Sequence, residues 1–263
     1  DGSVETVVDA SDRTPLAPEA GSTEAGTTEV VLGGAGWLPD GRLIVNSMHE
    51  RLVLVLDGSS LETYVDLRAI ATSSINDMVV DADGRAYISQ LGFDLFAGED
   101  PCDSDLIVVE PDGTAHVAAG VGQFSCGNGV AVTADGSQLL IAEVTANRIT
   151  VMDRAADGTL SNRRVFSETP FLPDGICLDE QGGCWAGMPG SGVVARFVEG
   201  GEMTDVVEIP MDQAMGVACV LGGEDRSVLY IAAGLEVFDW AKSRDEGLGT
   251  IWSAQTAYTA GAS

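Results

Sequence analysis

Side chains with amide or carboxylate oxygens occur at corresponding places in three repeated stretches. Asn76 lies in Ser-Ile-Asn-Asp-Met-Val-Val, Asn128 in Cys-Gly-Asn-Gly-Val-Ala-Val, and Asp174 in Leu-Pro-Asp-Gly-Ile-Cys-Leu. Each of these residues stands at the start of a short apolar run that is typical of a buried β-strand. If the three strands lie side by side around an axis, the three side chains converge on one point.

The chemistry of such a point follows from the oxygen ligands. Carboxylate and amide oxygens suit calcium, or magnesium or manganese with more water. A divalent ion held there can polarise a carbonyl and stabilise the oxyanion formed when water attacks it, with Asp174 as the general base. Asn128-Gly129 and Asp174-Gly175 are also ordinary turn sequences. Turn chemistry explains Asn76-Asp77 less well, because Met78 rather than glycine follows it.

Other catalytic arrangements find little support. His49 and His116 are the two histidines, and His116 lies within an outer-strand pattern, which argues against a role as general base. No Gly-x-Ser-x-Gly occurs, so a serine-hydrolase triad is not expected. The five cysteines show no Cys-x-x-Cys spacing, which argues against a structural zinc site. Cys102 and Cys126 could close a loop, but the odd count favours reduced thiols.

The elements that must position these side chains repeat along the chain. A strand, a glycine turn and a second strand recur with a period of about 40 to 50 residues, which is typical of a propeller blade of four strands. The turn glycines are Gly41, Gly84, Gly136, Gly182 and Gly223. Helical periodicity is nearly absent, and one short helical turn is expected over Asp239 to Glu246.

The count of repeats predicts an all-β, six-bladed propeller in which five blades are complete and the first is incomplete. Residues 1–263 are taken as a single domain, with a mobile loop at about 14–28. An unpaired strand over Val4 to Val8 resembles the outer part of the incomplete blade. Either an N-terminal piece is missing, or the segment that ends at Ser263 fills the gap. Trp37 and Trp185 are expected in the core.

The excess of acidic over basic residues limits the classes of partner that this protein can bind. Lys and Arg number 13 against 41 Asp and Glu, for a formal net charge of −28. Such a field repels nucleic acid and anionic membranes. No apolar run reaches transmembrane length and no signal peptide is present in this sequence, so a cytoplasmic location is expected. An open blade edge would favour self-association or completion of the ring by a second polypeptide.

Four ordered stretches between Trp37 and Ala232 resemble the gluconolactonase/regucalcin (SMP-30) family. They are Ile-Asn-Asp-Met-Val-Val-Asp-Ala-Asp-Gly, Gly-Asn-Gly-Val-Ala-Val-Thr-Ala-Asp-Gly, Leu-Ser-Asn-Arg-Arg-Val-Phe and Leu-Pro-Asp-Gly-Ile-Cys-Leu-Asp. The resemblance implies a six-bladed propeller that hydrolyses lactones, which are cyclic carboxylic esters. It also implies one divalent metal on the axis. Calcium is expected, and magnesium, manganese and zinc are the alternatives.

The resemblance also implies roles for individual residues. Asn128 and Asp174 would bind the metal, and Asp174 would also be the catalytic base. Asn76 would contact the metal, its bound water or the substrate. Asp77 would support Asn76 on the substrate side. The expected substrate is a small lactone or related ester.

The sequence departs from the family pattern at two places, and the first of these favours a competing interpretation. The family's first metal ligand is a Glu in Glu-Gly-Pro-x-Trp, and the nearest match here, Gly33 to Trp37, has glycine in that place. No residue of this sequence is therefore assigned to that ligand. The family's substrate-contacting Arg corresponds to Ser74. The alternative function is a non-catalytic propeller that binds a ligand or a protein and has a degenerate metal site. Strictosidine-synthase-like chemistry on the same scaffold ranks lowest.

Overall fold

The computed structural model describes residues 6–8, 10, 13–15, 30–95 and 97–261. In this part of the chain the dominant elements are antiparallel β-sheets, which form five blades of a propeller. In each blade the strands follow one another in sequence order. The first strands of successive blades pack against each other along the chain, so they line the axis.

The first three blades have four strands each. Blade one contains β1 (Leu32–Trp37), β2 (Leu43–Ser47), β3 (Leu52–Asp57) and β4 (Ser60–Asp66). Blade two contains β5 (Ile75–Val80), β6 (Ala86–Gln90), β8 (Ile107–Val109) and β9 (Ala115–Val117), while β7 (Asp103–Ser104) pairs with β10 (Phe124–Ser125) beside it. Blade three contains β11 (Gly127–Val132), β12 (Gln138–Glu143), β13 (Arg148–Arg154) and β14 (Leu160–Glu168).

The last two blades differ in their number of strands. Blade four contains β15 (Ile176–Leu178), β16 (Gly183–Met188), β17 (Val193–Val198) and β18 (Met203–Glu208). Blade five contains β19 (Met215–Gly222), β20 (Val228–Gly234) and β21 (Gly249–Gln255), with helix α1 (Trp240–Asp245) between the last two strands. The sequence predicted this helix, and blade five has three strands instead of the four that are typical of a propeller blade.

The hydrophobic core lies between neighbouring blades. Successive side chains of a strand point to opposite faces of its sheet, so each blade can bury both faces. On β12, Leu139 and Ile141 pack in the cluster shared with blade two, and Leu140 and Ala142 pack in the cluster shared with blade four. The apolar runs of the sequence therefore correspond to strands that are covered on both sides.

The turns expected at the glycines are confirmed. Gly41, Gly84, Gly136, Gly182 and Gly223 all have positive φ angles, between 71° and 88°. This left-handed conformation disfavours residues with a Cβ, so glycine is the natural residue at these places. The turns set the spacing of the strands in every blade.

Blade five has an uncovered outer face, whereas on blade one the apolar side chains of β2 to β4 that point away from blade two are buried. On blade five, Val220 is 57% exposed and Ile251 is 69% exposed, while neighbouring residues such as Leu221 are buried against blade four. On blade one, Trp37 is 62% exposed. The prediction that Trp37 lies in the core is therefore wrong. Gly36 faces Val80 of blade two, and Trp37 points to the opposite face. Trp185 is 1% exposed, as predicted.

The C-terminal segment does not extend blade five. The main-chain nitrogen of Glu180 donates to the carbonyl of Thr259 at 2.8 Å, and Ala260 forms a bridge with Asp179. The ring of Tyr258 lies over the guanidinium of Arg196. The segment over 256–261 thus runs back against blade four, so the prediction that it fills the gap in the ring is wrong for these residues.

Some expectations fall on parts of the chain that the structure does not describe. The strand predicted over 4–8 is described only at 6–8, where no strand forms, and residues 16–28 of the predicted loop lie outside the described residues. Over the described ranges, no helix is both long enough and apolar enough to cross a membrane.

Candidate functional site

The candidate site residues lie at irregular places in the innermost strands. The register of β5 shifts between Ile75 and Met78, and that of β11 shifts between Gly127 and Val130. Asn76-Asp77 and Asn128-Gly129 occupy these bulges. The sequence placed both asparagines just before their strands, whereas the structure places them within the strands. A bulge redirects side chains out of the ladder, and this is how the asparagines come to face the axis.

Blades one and five have the same irregularity without a ligand side chain. The register of β1 shifts between Leu32 and Ala35, where Gly33 and Gly34 stand. The register of β19 shifts between Gly216 and Ala218. No described residue of these two bulges offers a side-chain oxygen. The candidate ligands therefore come from blades two, three and four.

Asp174 is held at the entrance to blade four by main-chain hydrogen bonds on both sides. Its nitrogen donates to the carbonyl of Gly187 at 2.8 Å, and the nitrogen of Gly175 donates to the carbonyl of Val217 on blade five at 2.9 Å. The side chain of Asn128 lies near the carboxylate of Asp174 and acts to lower the pKa of that carboxyl. The structure therefore places Asp174 and Asn128 near each other.

Asn76 and Asp77 reach the same region from blade two. Asn76 Nδ2 lies 3.5 Å from the carbonyl oxygen of Gly127, the residue before Asn128. The carboxylate of Asp77 accepts a hydrogen bond from the nitrogen of Met78 at 2.9 Å. The negative charge of Asp77 also lies close enough to Asp174 to raise the pKa of Asp174. All four predicted residues thus lie in one constellation.

The electrostatics of the two carboxylates are unusual. Both side chains keep some exposure at the axis, but protein atoms surround them densely and desolvate them. Desolvation raises the pKa of Asp77 from an ordinary value of 3.8 to about 6. Desolvation, together with the negative charge of Asp77, raises the pKa of Asp174 to about 8. Two such carboxylates favour a proton or a cation between them.

The innermost strands approach each other so closely that two glycines are required. A Cβ on Gly34 would lie 2.2 Å from the nitrogen of Met78 and 2.4 Å from Oδ1 of Asp77. A Cβ on Gly129 would lie 2.5 Å from the nitrogen of Ile176 and 2.6 Å from the carbonyl oxygen of Asp174. These contacts leave no room for a side chain, so glycine fixes the spacing of the candidate ligands.

The donor set fits a hard divalent cation in its chemistry. Among the described residues no group of three or more His, Cys, Asp and Glu side chains could hold a metal. The constellation instead supplies two carboxylates, from Asp77 and Asp174, and two amides, from Asn76 and Asn128. Oxygen donors of this kind suit calcium or magnesium rather than a soft metal. The raised pKa values of Asp77 and Asp174 show that their ionised forms are unfavourable in this environment, and a bound cation would stabilise them.

Two supporting residues were not identified from the sequence. Asn46 on β2 is fully buried, and its Nδ2 donates to the carbonyl oxygens of Asn76 at 3.0 Å and Asp77 at 3.4 Å. The hydroxyl of Ser89 accepts a hydrogen bond from the nitrogen of Asp77 at 3.0 Å. In the sequence, both residues are polar positions within a largely apolar strand. A buried amide or hydroxyl requires a hydrogen-bond partner, so such positions indicate a supporting contact.

The histidines have different surroundings. His49 Nδ1 lies 2.9 Å from the hydroxyl of Ser74, two residues before Asn76. His116 lies on the outer strand β9, is exposed and contacts Glu110 at 3.2 Å. The expectation that His116 is not a general base agrees with this position at the rim of blade two.

Comparison of the sequence with known proteins gives consistent matches. The model of the SMP-30/Gluconolactonase/LRE-like region matches residues 8–234. Pentonolactonase XacC of Haloferax volcanii is 29% identical over 242 residues, which cover 88% of this chain and 77% of that protein. Regucalcin of Danio rerio is 26% identical over 196 residues, which cover 72% of this chain and 64% of that protein. L-arabinolactonase of Azospirillum brasilense is 31% identical over 135 residues, which cover 50% of this chain and 44% of that protein.

Solved structures show the same fold. A luciferin-regenerating enzyme superposes with a TM-score of 0.72 at 20% identity and covers 88% of this chain and 80% of its own. A calcium-binding protein, regucalcin, of Agrobacterium tumefaciens superposes with a TM-score of 0.71 at 17% identity, covering 88% of this chain and 78% of its own. At these identities the likeness establishes the propeller fold.

Proposed function

This chain belongs to the SMP-30/gluconolactonase/LRE-like family, and we propose that it is a lactonase, which opens a cyclic ester with water. The observation that carries the proposal is the convergence of Asp174, Asn128 and Asn76-Asp77 at the axis, with both carboxylates desolvated. A propeller scaffold alone requires no such set. The names of two relatives, a pentonolactonase and an L-arabinolactonase, favour a sugar lactone as the substrate.

In the proposed mechanism, Asp174 is the general base. Its deprotonated carboxylate takes a proton from water, which attacks the carbonyl carbon of the lactone. When the ring C–O bond breaks, Asp174 returns the proton to the leaving alkoxide, and a hydroxy acid leaves. The Asn128 side chain, which lies near the Asp174 carboxylate, would orient it as a hydrogen-bond partner. Asn76 and Asp77 bind the substrate from the side of blade two.

We also propose a divalent cation, most simply calcium, as the resident cofactor. Asn128 and Asp174 would hold it, with Asn76 beside them. When bound, it would neutralise carboxylate charge and polarise the lactone carbonyl. The support is the chemistry of the donor set and the raised pKa of Asp174. Magnesium, manganese and zinc are the alternatives to calcium.

A six-bladed ring in a single domain is our proposal for the complete architecture. The support is the uncovered outer face of blade five, marked by Val220 and Ile251, together with the exposed Trp37 at the end of β1. Exposed apolar faces of blades are expected to be covered. Without a sixth blade, this chain is expected to self-associate and to bind an apolar dye. Size-exclusion chromatography that gives a monomer without dye binding would count against this proposal.

The competing function is a propeller that binds a ligand without catalysis. It is favoured by one specific observation, the glycines at the blade-one bulge, which provide no carboxylate at the axis. This alternative predicts that the chain binds a small molecule or a protein but does not hydrolyse any lactone.

The experiment that tests the proposal is hydrolysis of a panel of γ- and δ-lactones in the presence of calcium. Wild type is compared with Asp174→Asn, and Asp157→Asn is the matched control because Asp157 lies in an exposed hairpin turn. The lactonase proposal predicts hydrolysis by the wild type and the control, with a loss of at least about 100-fold in Asp174→Asn. No hydrolysis of any lactone by wild type would favour the binding propeller.

A further inference from the structure

Two thiols face each other across the junction of blades four and five. The Sγ atoms of Cys177 on β15 and Cys219 on β19 lie 3.8 Å apart. Both cysteines belong to the cluster between these blades. Cys184 belongs to the cluster on the opposite face of blade four, so it is not the partner that Cys177 faces. All five cysteines are free thiols in this structure.

The thiol pair lies on the two strands that hold the Asp174 segment in place. Cys177 follows Asp174 by three positions. The Sγ of Cys219 lies 3.8 Å from the carbonyl oxygen of Gly175 and 3.6 Å from that of Trp185. The hydrogen bond from Gly175 to Val217 joins the same two strands. A change in the separation of β15 and β19 is therefore transmitted to the segment that carries Asp174.

The two thiols differ in access to solvent. Cys177 is half-buried, while Cys219 is 8% exposed. A small oxidant can therefore reach Cys177, and Cys219 stands behind it at contact distance. This arrangement matches the pairing of a peroxide-reactive cysteine with a resolving cysteine.

We propose that Cys177 and Cys219 form a reversible disulfide on exposure to hydrogen peroxide, and that this disulfide changes the activity of the adjacent site. Cys177 attacks the peroxide O–O bond and becomes a sulfenic acid, and one water leaves. Cys219 then attacks that sulfur, the S–S bond forms, and the displaced hydroxide leaves with the thiol proton as a second water. The two sulfurs together lose two electrons, which reduce the peroxide. A dithiol reductant returns both thiols by exchange.

The expected consequence is a displacement of Asp174. A disulfide requires the sulfurs to approach to about 2.05 Å, so the two strands must move or the side chains must rotate. Catalysis is sensitive to such displacements, and we expect kcat to fall by about tenfold or more in the oxidised protein. The predicted fall in kcat rests on the proposed lactonase function, whereas formation of the disulfide does not.

The test is peptide mapping by mass spectrometry of wild type treated with hydrogen peroxide, without reductant. The expected result is a Cys177–Cys219 cross-linked peptide and the loss of two titratable thiols, both reversed by dithiothreitol. Absence of this cross-link, or a cross-link that involves Cys184 instead, would overturn the proposal. The peptide mapping needs neither a variant nor lactonase activity. Its result can therefore be interpreted even if the lactonase proposal fails.

The functional part is tested by activity with matched variants. Lactone hydrolysis by wild type and by Cys102→Ser should fall after peroxide and recover with dithiothreitol, because Cys102 is exposed and stands apart from the pair. Hydrolysis by Cys177→Ser and Cys219→Ser should resist the same treatment. Equal inhibition of Cys177→Ser and wild type, or full activity of cross-linked wild type, would refute the link to the site.

Discussion

Asn46 donates a hydrogen bond of 3.0 Å from its Nδ2 to the main-chain carbonyl oxygen of Asn76, across the boundary between blades one and two. A second bond of 3.4 Å reaches the carbonyl oxygen of Asp77. Asn46 is fully buried. One amide thus satisfies the carbonyls that the β5 bulge leaves outside the ladder, and it fixes the side chains that the bulge presents.

Removing that amide is expected to damage both stability and the site. Asn46→Leu removes the side-chain donor to the carbonyl of Asn76 and leaves the carbonyl of Asp77 with the hydroxyl of Ser89, and we expect a loss of about 1–3 kcal/mol in the free energy of unfolding. We also expect weaker cation binding, measured by calorimetry alongside denaturant unfolding. Asn46→Asp keeps the shape and removes the donor, so it should be similarly damaging. If Asn46→Asp binds the cation and unfolds like wild type, the hydrogen bond is not what holds the bulge.

The raised pKa values predict how the metal-free protein responds to pH. The folded protein binds the proton of Asp174 more tightly than the unfolded chain does, because the pKa rises from 3.8 to about 8. The resulting stabilisation is full below pH 3.8 and is lost as pH rises towards 8. Relative to Asp174→Asn, wild type in chelator should lose roughly 1 kcal/mol of stability per pH unit in that interval.

Thermal or denaturant unfolding of both proteins at fixed ionic strength measures this difference. The comparison with Asp174→Asn cancels the repulsion that comes from the overall charge. A difference between the two proteins that does not change from pH 4 to pH 8 would show that Asp174 titrates normally. Addition of calcium should reduce the pH dependence of wild type and leave Asp174→Asn unchanged.

A methyl group at Gly129 should displace the site. Its Cβ would lie 2.5 Å from the nitrogen of Ile176 and 2.6 Å from the carbonyl oxygen of Asp174, so blade three and blade four must separate. Gly129→Ala should therefore lower cation affinity by at least about tenfold. Gly249→Ala is the control, because its Cβ would meet nothing within 4 Å. Calorimetric affinities that are equal in the two variants would contradict the close approach.

The ion pair between Asp179 and Arg196 should be essential for blade four. Arg196 donates to both carboxylate oxygens of Asp179, at 2.7 and 2.9 Å, and both side chains are buried. Arg196→Met leaves a buried carboxylate without its cation, and we expect a loss of about 3–5 kcal/mol in unfolding free energy. Arg164→Met removes two partly exposed ion pairs, with Asp153 and Glu199, and should cost about 1 kcal/mol or less. Similar losses in the two variants, measured in urea, would show that burial does not decide the cost.

The fold was largely predictable because its signals are local. Glycine turns such as that at Gly182 require a left-handed backbone, and runs such as Ile176 to Leu178 fit strands covered on both faces. The exposure of Trp37 could not be predicted, because it depends on which face of blade one meets a neighbour. Whether such a side chain is buried depends on the arrangement of the blades around the ring and not on the sequence of its own strand.

The sequence predicted which candidate site residues come together, but it did not predict the residues that support them. Asn76, Asn128 and Asp174 repeat at corresponding positions, so their convergence followed from the period of the blades. Asn46 occurs once, on a second strand, and its role arises from the contact between two blades. The bulges that carry the asparagines were also missed, because the sequence shows an extra residue in a strand only when the partner strand is known.

The most direct test of the central claim is the dependence of lactone hydrolysis on a single cation held by Asp174. Protein stripped with a chelator is titrated with calcium while the initial rate of lactone hydrolysis and the heat of binding are measured. The account predicts that activity disappears on stripping, returns in step with cation binding, and is absent in Asp174→Asn, which should also bind the cation poorly. Full hydrolysis by the stripped protein, or hydrolysis by Asp174→Asn at the wild-type rate, would contradict it.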